Sequence, residues 1–91
     1  MSPQANFDLQ NIIYYIASIL YNPPAAERIQ SKLLNSISIL QYFPLIARPR
    51  ISKNFYLPIR MLPVKNYLIF YSVFHYTVTI HRIVHSRQNL R

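Results

Sequence analysis

The sequence of 91 residues has no cysteine and no glycine, and only two of its residues are acidic. Without cysteine the chain has no disulfide, no cysteine-ligated zinc or iron–sulfur site, and no thiol nucleophile. Without glycine it has none of the glycine-rich loops that cradle phosphate groups in nucleotide-binding proteins. We therefore expect a protein that works without a cofactor.

Apolar residues, by contrast, are plentiful. Hydrophobic residues make up 52% of the chain, with eight Tyr and five Phe, which argues against intrinsic disorder. A chain of this length is typical of one domain, so we treat 1–91 as a single unit. No basic residue precedes Arg28, and polar and proline residues interrupt the uncharged stretch 9–26. We expect neither a signal peptide nor a membrane-spanning segment, and hence a cytoplasmic protein with no membrane partner.

The positive charge is confined to the second half of the chain. Residues 1–47 contain two acidic and two basic residues, whereas residues 48–91 contain eight basic residues and no acidic one. The second half therefore carries the whole net charge of +8. This asymmetry points to a polyanionic partner, either nucleic acid, an acidic protein or an anionic surface. The plainer alternative is a basic protein with no special ligand.

The first part of the chain, 1–43, has the pattern of two antiparallel helices. Ser2-Pro3 is a helix start, and Asn22-Pro23 ends the first helix and caps the second. Phe43-Pro44 stops the second helix, because the residue before proline avoids helical geometry. Apolar residues recur every three or four positions in both helices: Ala5, Leu9, Ile12, Ile13, Ile16, Ile19 and Leu20, then Ala26, Ile29, Leu33, Ile37 and Leu40.

The second part changes to a strand pattern. Runs rich in Tyr, Phe, Val, Ile and Thr predict three strands within an antiparallel sheet over 55–85, because links this short join only antiparallel neighbours. The predicted strands are 55–62, 66–74 and 77–85. Pro58 favours an edge position for the first of them. The fold class is therefore α+β, with the helical hairpin packed on one face of the sheet. We expect 44–54 to be a loop and 86–91 a basic tail.

Several short motifs resemble, in order, a known family over essentially the whole chain. They are Ser2-Pro3-x-Ala5-x-x-Asp8-Leu9, Tyr15-Ile16-Ala17, Asn22-Pro23-x-Ala25-Ala26, Leu40-x-x-Phe43-Pro44, Arg60-Met61-Leu62-Pro63-Val64-x-Asn66-Tyr67-Leu68-Ile69-Phe70-Tyr71 and Thr77-Val78-x-Ile80-His81-Arg82-Ile83-Val84-His85-x-Arg87. This set is similar to the RelE/ParE superfamily of bacterial type II toxins. The resemblance implies a growth-inhibiting toxin of the plasmid-stabilisation type. A small acidic antitoxin, encoded beside the toxin, would hold it inactive.

Two departures from the family pattern affect this interpretation. Family members usually have a strand before the Ser2-Pro3 helix start. We expect the sheet edge that such a strand would cover to be occupied by the antitoxin or by a second copy, in a hetero-oligomer or a homodimer. In addition, the RNase branch usually carries an arginine at the position of Leu68, where it would stabilise phosphate charge. Leu68 therefore favours the ParE branch.

Three functions remain open at this point. The first is a non-enzymatic, ParE-like toxin that acts on DNA gyrase. The second is a ribosome-dependent mRNA endonuclease, for which the candidate catalytic residues are Arg60, His85 and Arg87. The third is a nucleic-acid-binding module without toxicity, which nothing but charge supports.

Basic residues of the second half are the candidates for contact with the target or the antitoxin: Arg48, Arg50, Lys53, Arg60, Arg82, Arg87 and Arg91. For Arg60 the alternative is an ordinary solvated charge on a strand. Arg82 lies in the middle of a strand, and is either a structural tie to a carboxylate or part of the site.

Histidine and aromatic residues give further candidates. His81 and His85 are predicted to share a face of the last strand about 13 Å apart, which is too far for one metal ion, so no metal site is expected. His85 is either a proton donor or acceptor or a polar strand end. The pairs Tyr67–Tyr71 and Phe70–Phe74 on the middle strand either stack on bases or form core, and the core is favoured.

Overall fold

The computed structural model describes residues 1–50 and 58–88. Its elements are α1 (Pro3–Tyr14), a π-helical turn (Tyr15–Ile19), α2 (Pro23–Tyr42), β1 (Pro49–Arg50), β2 (Ile59–Val64), β3 (Tyr67–Phe74), β4 (Thr77–His85) and a 3₁₀ turn (Ser86–Gln88). Within these residues the strands form one antiparallel sheet in the order β1-β2-β3-β4. The helices pack on one face of it, which confirms the predicted α+β class.

Both helices begin where the sequence predicts. The Ser2 hydroxyl accepts a hydrogen bond from the backbone N–H of Ala5 at 3.1 Å, and the Asn22 side chain accepts one from the N–H of Ala25 at 3.2 Å. A proline follows each cap, at a position whose N–H would have no helical partner. Phe43 is the C-cap residue of α2 and comes directly before Pro44, as predicted.

The first helix does not continue to Leu20 as predicted. After Tyr14 the backbone widens into the π-helical turn, which ends at Ile19. The wider turn changes the direction in which the next side chains point, and Ile19 and Leu20 are 53% and 54% exposed instead of belonging to the buried stripe. No residue pattern in 15–19 predicts this turn.

The predicted number of strands is too low by one. Pro49 and Arg50, placed in a loop by the sequence, form β1 and pair with Arg60 and Ile59 of β2. The start of β2 is therefore not a sheet edge, contrary to the expectation from Pro58, which lies just before the strand. A strand of two residues has almost no periodicity, and Pro49 is tolerated in it because an edge strand can spare an N–H.

The first predicted strand is also displaced along the chain. It begins at Ile59 and extends through Pro63 to Val64, two residues beyond the predicted end. Pro63 pairs with Leu68 of β3, and β1 pairs only with Ile59 and Arg60 of β2. The side of β2 that faces β1 therefore has no strand beside Pro63 that would need its missing N–H. Residues 55–57 of the prediction lie outside the described residues.

The core lies between the helices and the sheet. Its fully buried side chains include Leu33 and Leu40 of α2, and Ile69 and Tyr71 of β3. The Tyr71 hydroxyl donates to the carbonyl of Pro44 at 2.9 Å and accepts from the N–H of Ala47 at 3.3 Å. A second buried cluster, on the opposite face, contains Ile59, Leu68, Phe70 and Val84. Tyr71 and Phe70 are therefore core residues, whereas Phe74 is exposed.

A β-bulge in β4 changes which residues share a face. The pairing register shifts between Phe70 and Tyr71, which are opposite Arg82 and Ile80, so His81 is the extra residue. His81 Nε2 lies 2.7 Å from the hydroxyl of Ser72, and burial lowers the pKa of His81. The prediction that His81 and His85 share a face is wrong, because one extra residue reverses the alternation.

The β3–β4 connection is a two-residue turn with an unusual sequence. His75 and Tyr76 both have positive φ, 48° and 61°. Positive φ at both central residues defines a type I′ turn, in which Asn-Gly is the preferred pair. A residue with a Cβ meets a steric penalty of about 1–2 kcal/mol in this region. The turn of this glycine-free chain is therefore strained.

We predict that replacing the pair, His75→Asn with Tyr76→Gly, raises the free energy of unfolding by about 1 kcal/mol, because Asn and Gly tolerate the left-handed region. Urea unfolding at constant pH measures the change through the midpoint at an unchanged m-value. A lower midpoint would contradict the presence of strain in this turn.

Candidate functional site

A groove of about 700 Å³ lies between α1 and the outer edge of β4. Phe7, Asn11 and Tyr15 line it from the helical side, at intervals of four residues that place them on one helix face. The sheet side contributes Arg82, His85 and Arg87. Three of the basic or titratable residues singled out from the sequence therefore lie in one groove.

Asp8 joins the two walls of this groove. Its Oδ2 accepts from the backbone N–H of Ile83 at 2.9 Å and from Arg82 Nε at 2.8 Å. Its Oδ1 accepts from the second Arg82 nitrogen, Nη2, at 3.2 Å and from the Gln4 amide at 3.1 Å. From the sequence, Arg82 is expected to be either a structural tie to a carboxylate or part of the site. The structure shows the tie, to Asp8, and part of the Arg82 side chain is also exposed in the groove.

The start of α1 continues this attachment along β4. The Ser2 N–H donates to the carbonyl of Ile80 at 2.9 Å, and the Ser2 hydroxyl donates to the carbonyl of His81 at 3.0 Å. Residues of the same chain therefore cover the β4 edge from Ile80 to Ile83. Beyond Ile83 the edge borders the groove.

The far end of the groove presents hydrogen-bond donors. The rings of Tyr67 and His85 meet edge to face with their centroids 5.4 Å apart. His85 Nδ1 accepts from the backbone N–H of Arg87 at 3.2 Å, so in the neutral ring the hydrogen is on Nε2. Burial, and the nearby phenol of Tyr15, raise the pKa of Tyr67, which keeps its proton. Phenol, imidazole and guanidinium donors suit a carboxylate or a phosphate.

Arg60 is not part of this arrangement. It lies on β2 opposite Tyr71, and its guanidinium donates to the carbonyl of Ala47. His85 lies on β4 opposite Tyr67, which is four residues from Tyr71 along β3. Strand geometry puts the backbones of Arg60 and His85 about 16 Å apart. The structure brings His85 and Arg87 together but does not bring Arg60 to them.

Two of the remaining contact candidates lie at the other side of the sheet. Arg48 and Arg50 are exposed in and beside β1, close in the pairing to Arg60. Lys53 and Arg91 lie outside the described residues. The described candidates therefore form two groups, one on and beside β1 and β2 and the other on β4 and the turn that follows it. The edge strands β1 and β4 are three strand spacings, or about 14 Å, apart.

Sequence reasoning missed Tyr15 and Tyr67 as groove residues. The strand pattern places Tyr67 in the core or in base stacking, whereas Tyr15, the first residue of the π-helical turn, is not among the candidates. The four-residue spacing of Phe7, Asn11 and Tyr15 was a detectable signal, because it marks a second, partly aromatic stripe beside the buried one.

Two negative findings apply to residues 1–50 and 58–88. They contain no group of three or more His, Cys, Asp or Glu side chains that could hold a metal ion. Neither of their helices has the length and apolar character needed to cross a membrane.

We predict that Asp8→Ala lowers the free energy of unfolding by about 3 kcal/mol, because it leaves Arg82 and the N–H of Ile83 without their carboxylate. Asp8→Asn should cost less, since its amide oxygen still accepts one hydrogen bond. Urea unfolding measures both variants. Glu27→Ala is the matched control: Glu27 is the other acidic residue and is exposed, so its loss should change stability by less than about 0.5 kcal/mol. Equal effects of Asp8→Ala and Glu27→Ala would contradict the role given to Asp8.

Comparison with models of known protein families gives a match over nearly the whole chain. Residues 1–90 fit the family model described as "ParE toxin of type II toxin-antitoxin system, parDE". A comparison with the curated proteins finds no matching relative.

Proposed function

The chain belongs to the ParE family of toxins of type II toxin-antitoxin systems, and on this premise we propose that it stops growth by binding and poisoning DNA gyrase. The match to the ParE model over 1–90 is the observation that carries the proposal. The proposed toxin acts by binding, without a catalytic step of its own.

Two structural observations favour this target over mRNA. Cleavage by attack of a 2′-hydroxyl needs a base, an acid and a group that stabilises the phosphate charge, all around one phosphodiester. Of the three candidate residues, Arg60 is held by the Ala47 carbonyl on the far side of the sheet. Leu68, at the position where the RNase branch has an arginine, is buried in the apolar cluster on the face of the sheet opposite the helices.

The experiment adds purified toxin to a gyrase supercoiling reaction and, separately, to a cell-free translation mix in which mRNA ends are mapped. We expect inhibited supercoiling and intact mRNA. Cuts in ribosome-bound mRNA together with normal supercoiling would overturn the gyrase proposal and establish the endonuclease alternative. The control is the same translation reaction without toxin, in which the mRNA ends are mapped in the same way.

The family implies an antitoxin partner, and we propose that an acidic segment of it lies in the groove between α1 and β4. Phe7 and Tyr15 offer apolar contact area on one wall, and the guanidinium of Arg87 and the ring of His85 offer donors on the other. Asp8 adds little repulsion because Arg82 neutralises it. A segment with alternating apolar and acidic residues fits these two walls.

We predict that Arg87→Glu weakens binding of the antitoxin encoded beside the toxin gene by about tenfold, because it places a like charge against an acidic segment. Isothermal titration calorimetry measures the change. Arg28→Glu, an exposed change of the same charge on α2, is the matched control and should stay within about twofold. Equal weakening by both variants would mean that net charge, and not the groove, determines the affinity.

A further inference from the structure

The tip of the β3–β4 hairpin presents aromatic side chains to solvent. Tyr76 is fully exposed and Phe74 is 61% exposed, although large aromatic residues are usually at least partly buried. The Phe74 and His75 rings stack with centroids 4.2 Å apart and planes 27° apart. The tip is therefore an ordered aromatic surface carried on two paired strands.

The backbone of the same residues carries strain. His75 and Tyr76 hold positive φ in a turn that favours Asn and Gly. The side chain of Tyr76 stands fully in solvent, so it makes no contact that would compensate for the strain. Strained backbone of this kind clusters at active sites, ligand clamps and switch regions, which makes the tip a candidate for a functional contact.

The chemistry of the tip favours a protein partner over nucleic acid. Between Phe70 and His81 the sequence contains no lysine, arginine or acidic residue. Binding of single-stranded nucleic acid combines aromatic stacking with basic residues along the phosphate backbone, and the hairpin lacks the basic residues. Tyrosine on a rigid element is instead typical of the side chains that dominate protein interfaces, with the ring in an apolar pocket and the hydroxyl hydrogen-bonded.

The position of the tip separates it from the groove. β4 starts beside the tip at Thr77, and its groove residues begin at Arg82, about 16 Å further along the strand. Arg60 lies opposite Tyr71, in the half of β3 nearer to the tip. The tip and the basic residues of β1 and β2 therefore occupy the end of the sheet that the groove leaves free.

We propose that Phe74, His75 and Tyr76 form the contact by which this toxin inserts into an apolar pocket of its target protein. This contact rests on the toxin function proposed above and assigns the target to the hairpin tip and the antitoxin to the groove. Tyr76 is the central anchor, and the stacked Phe74 and His75 rings support it.

The test uses the variant His75→Asn with Tyr76→Gly, which removes two of the three rings and relieves the strain of the turn. Loss of function in this variant is separable from loss of folding, because its thermal stability should not fall. Tyr76→Asn is a second, single change that keeps His75. Tyr21→Asn is the matched control, because Tyr21 is also an exposed aromatic residue at positive φ and lies at the helical hairpin.

Each variant is measured for growth inhibition after induction, for inhibition of gyrase supercoiling, for binding of the antitoxin and for binding of duplex DNA. We expect both tip variants to need at least about tenfold more toxin for the same growth inhibition and supercoiling inhibition, with antitoxin and DNA binding within about twofold of wild type. Tyr21→Asn should match wild type in all four measurements.

The outcomes separate the two proposals. Full growth inhibition by the tip variants would overturn the tip contact while the toxin function stands. A tip variant that loses antitoxin binding or DNA binding as well would overturn the assignment to the target protein. If wild-type toxin slows growth but leaves gyrase active, the gyrase proposal fails, and the growth measurement still decides on the tip. If wild type does not slow growth, both proposals fail.

Discussion

A buried carboxylate at the centre of α1 makes most of the hydrogen bonds that attach this helix to the edge of β4. Asp8 is one of two acidic residues in the chain, and it accepts hydrogen bonds from a strand N–H, an arginine and a glutamine. Because it is buried, these donors replace the hydrogen bonds to water that its oxygens lose on folding. Asp8 therefore fixes the helix along the strand, and it also lines the groove that lies between the two elements.

Much of the fold could be predicted because its signals are local. The caps at Ser2 and Asn22 and the stop at Phe43 depend on a few neighbouring residues, and the structure has the same bonds at the caps. The bulge at His81 could not be predicted, because it is a property of the pairing between two strands. The strand β1 could not be predicted for the same reason, because its two residues are a strand only through their pairing with β2.

The site was only partly predictable for a related reason. His85, Arg87 and Arg82 were recognised as candidates by their residue type. Which of them share a groove depends on tertiary geometry, and Arg60 has its own partner in the Ala47 carbonyl. The aromatic members were missed because Tyr15 and Tyr67 look like core residues in an apolar sequence. Charge and residue type thus indicate a partner of opposite charge, and the fold divides the candidate residues between two sides of the sheet.

The bonds of Ser2 and Asp8 with β4 also set an order of events during synthesis. They join residues 74 to 79 positions apart, so the first helix made waits for the last strand before it can take its place. Contacts so distant in sequence close slowly, and they form only after β4 has left the ribosome. The first helix therefore reaches its final place only once the last strand has been made, and until then the bonds of Ser2 and Asp8 to β4 are missing from the nascent chain.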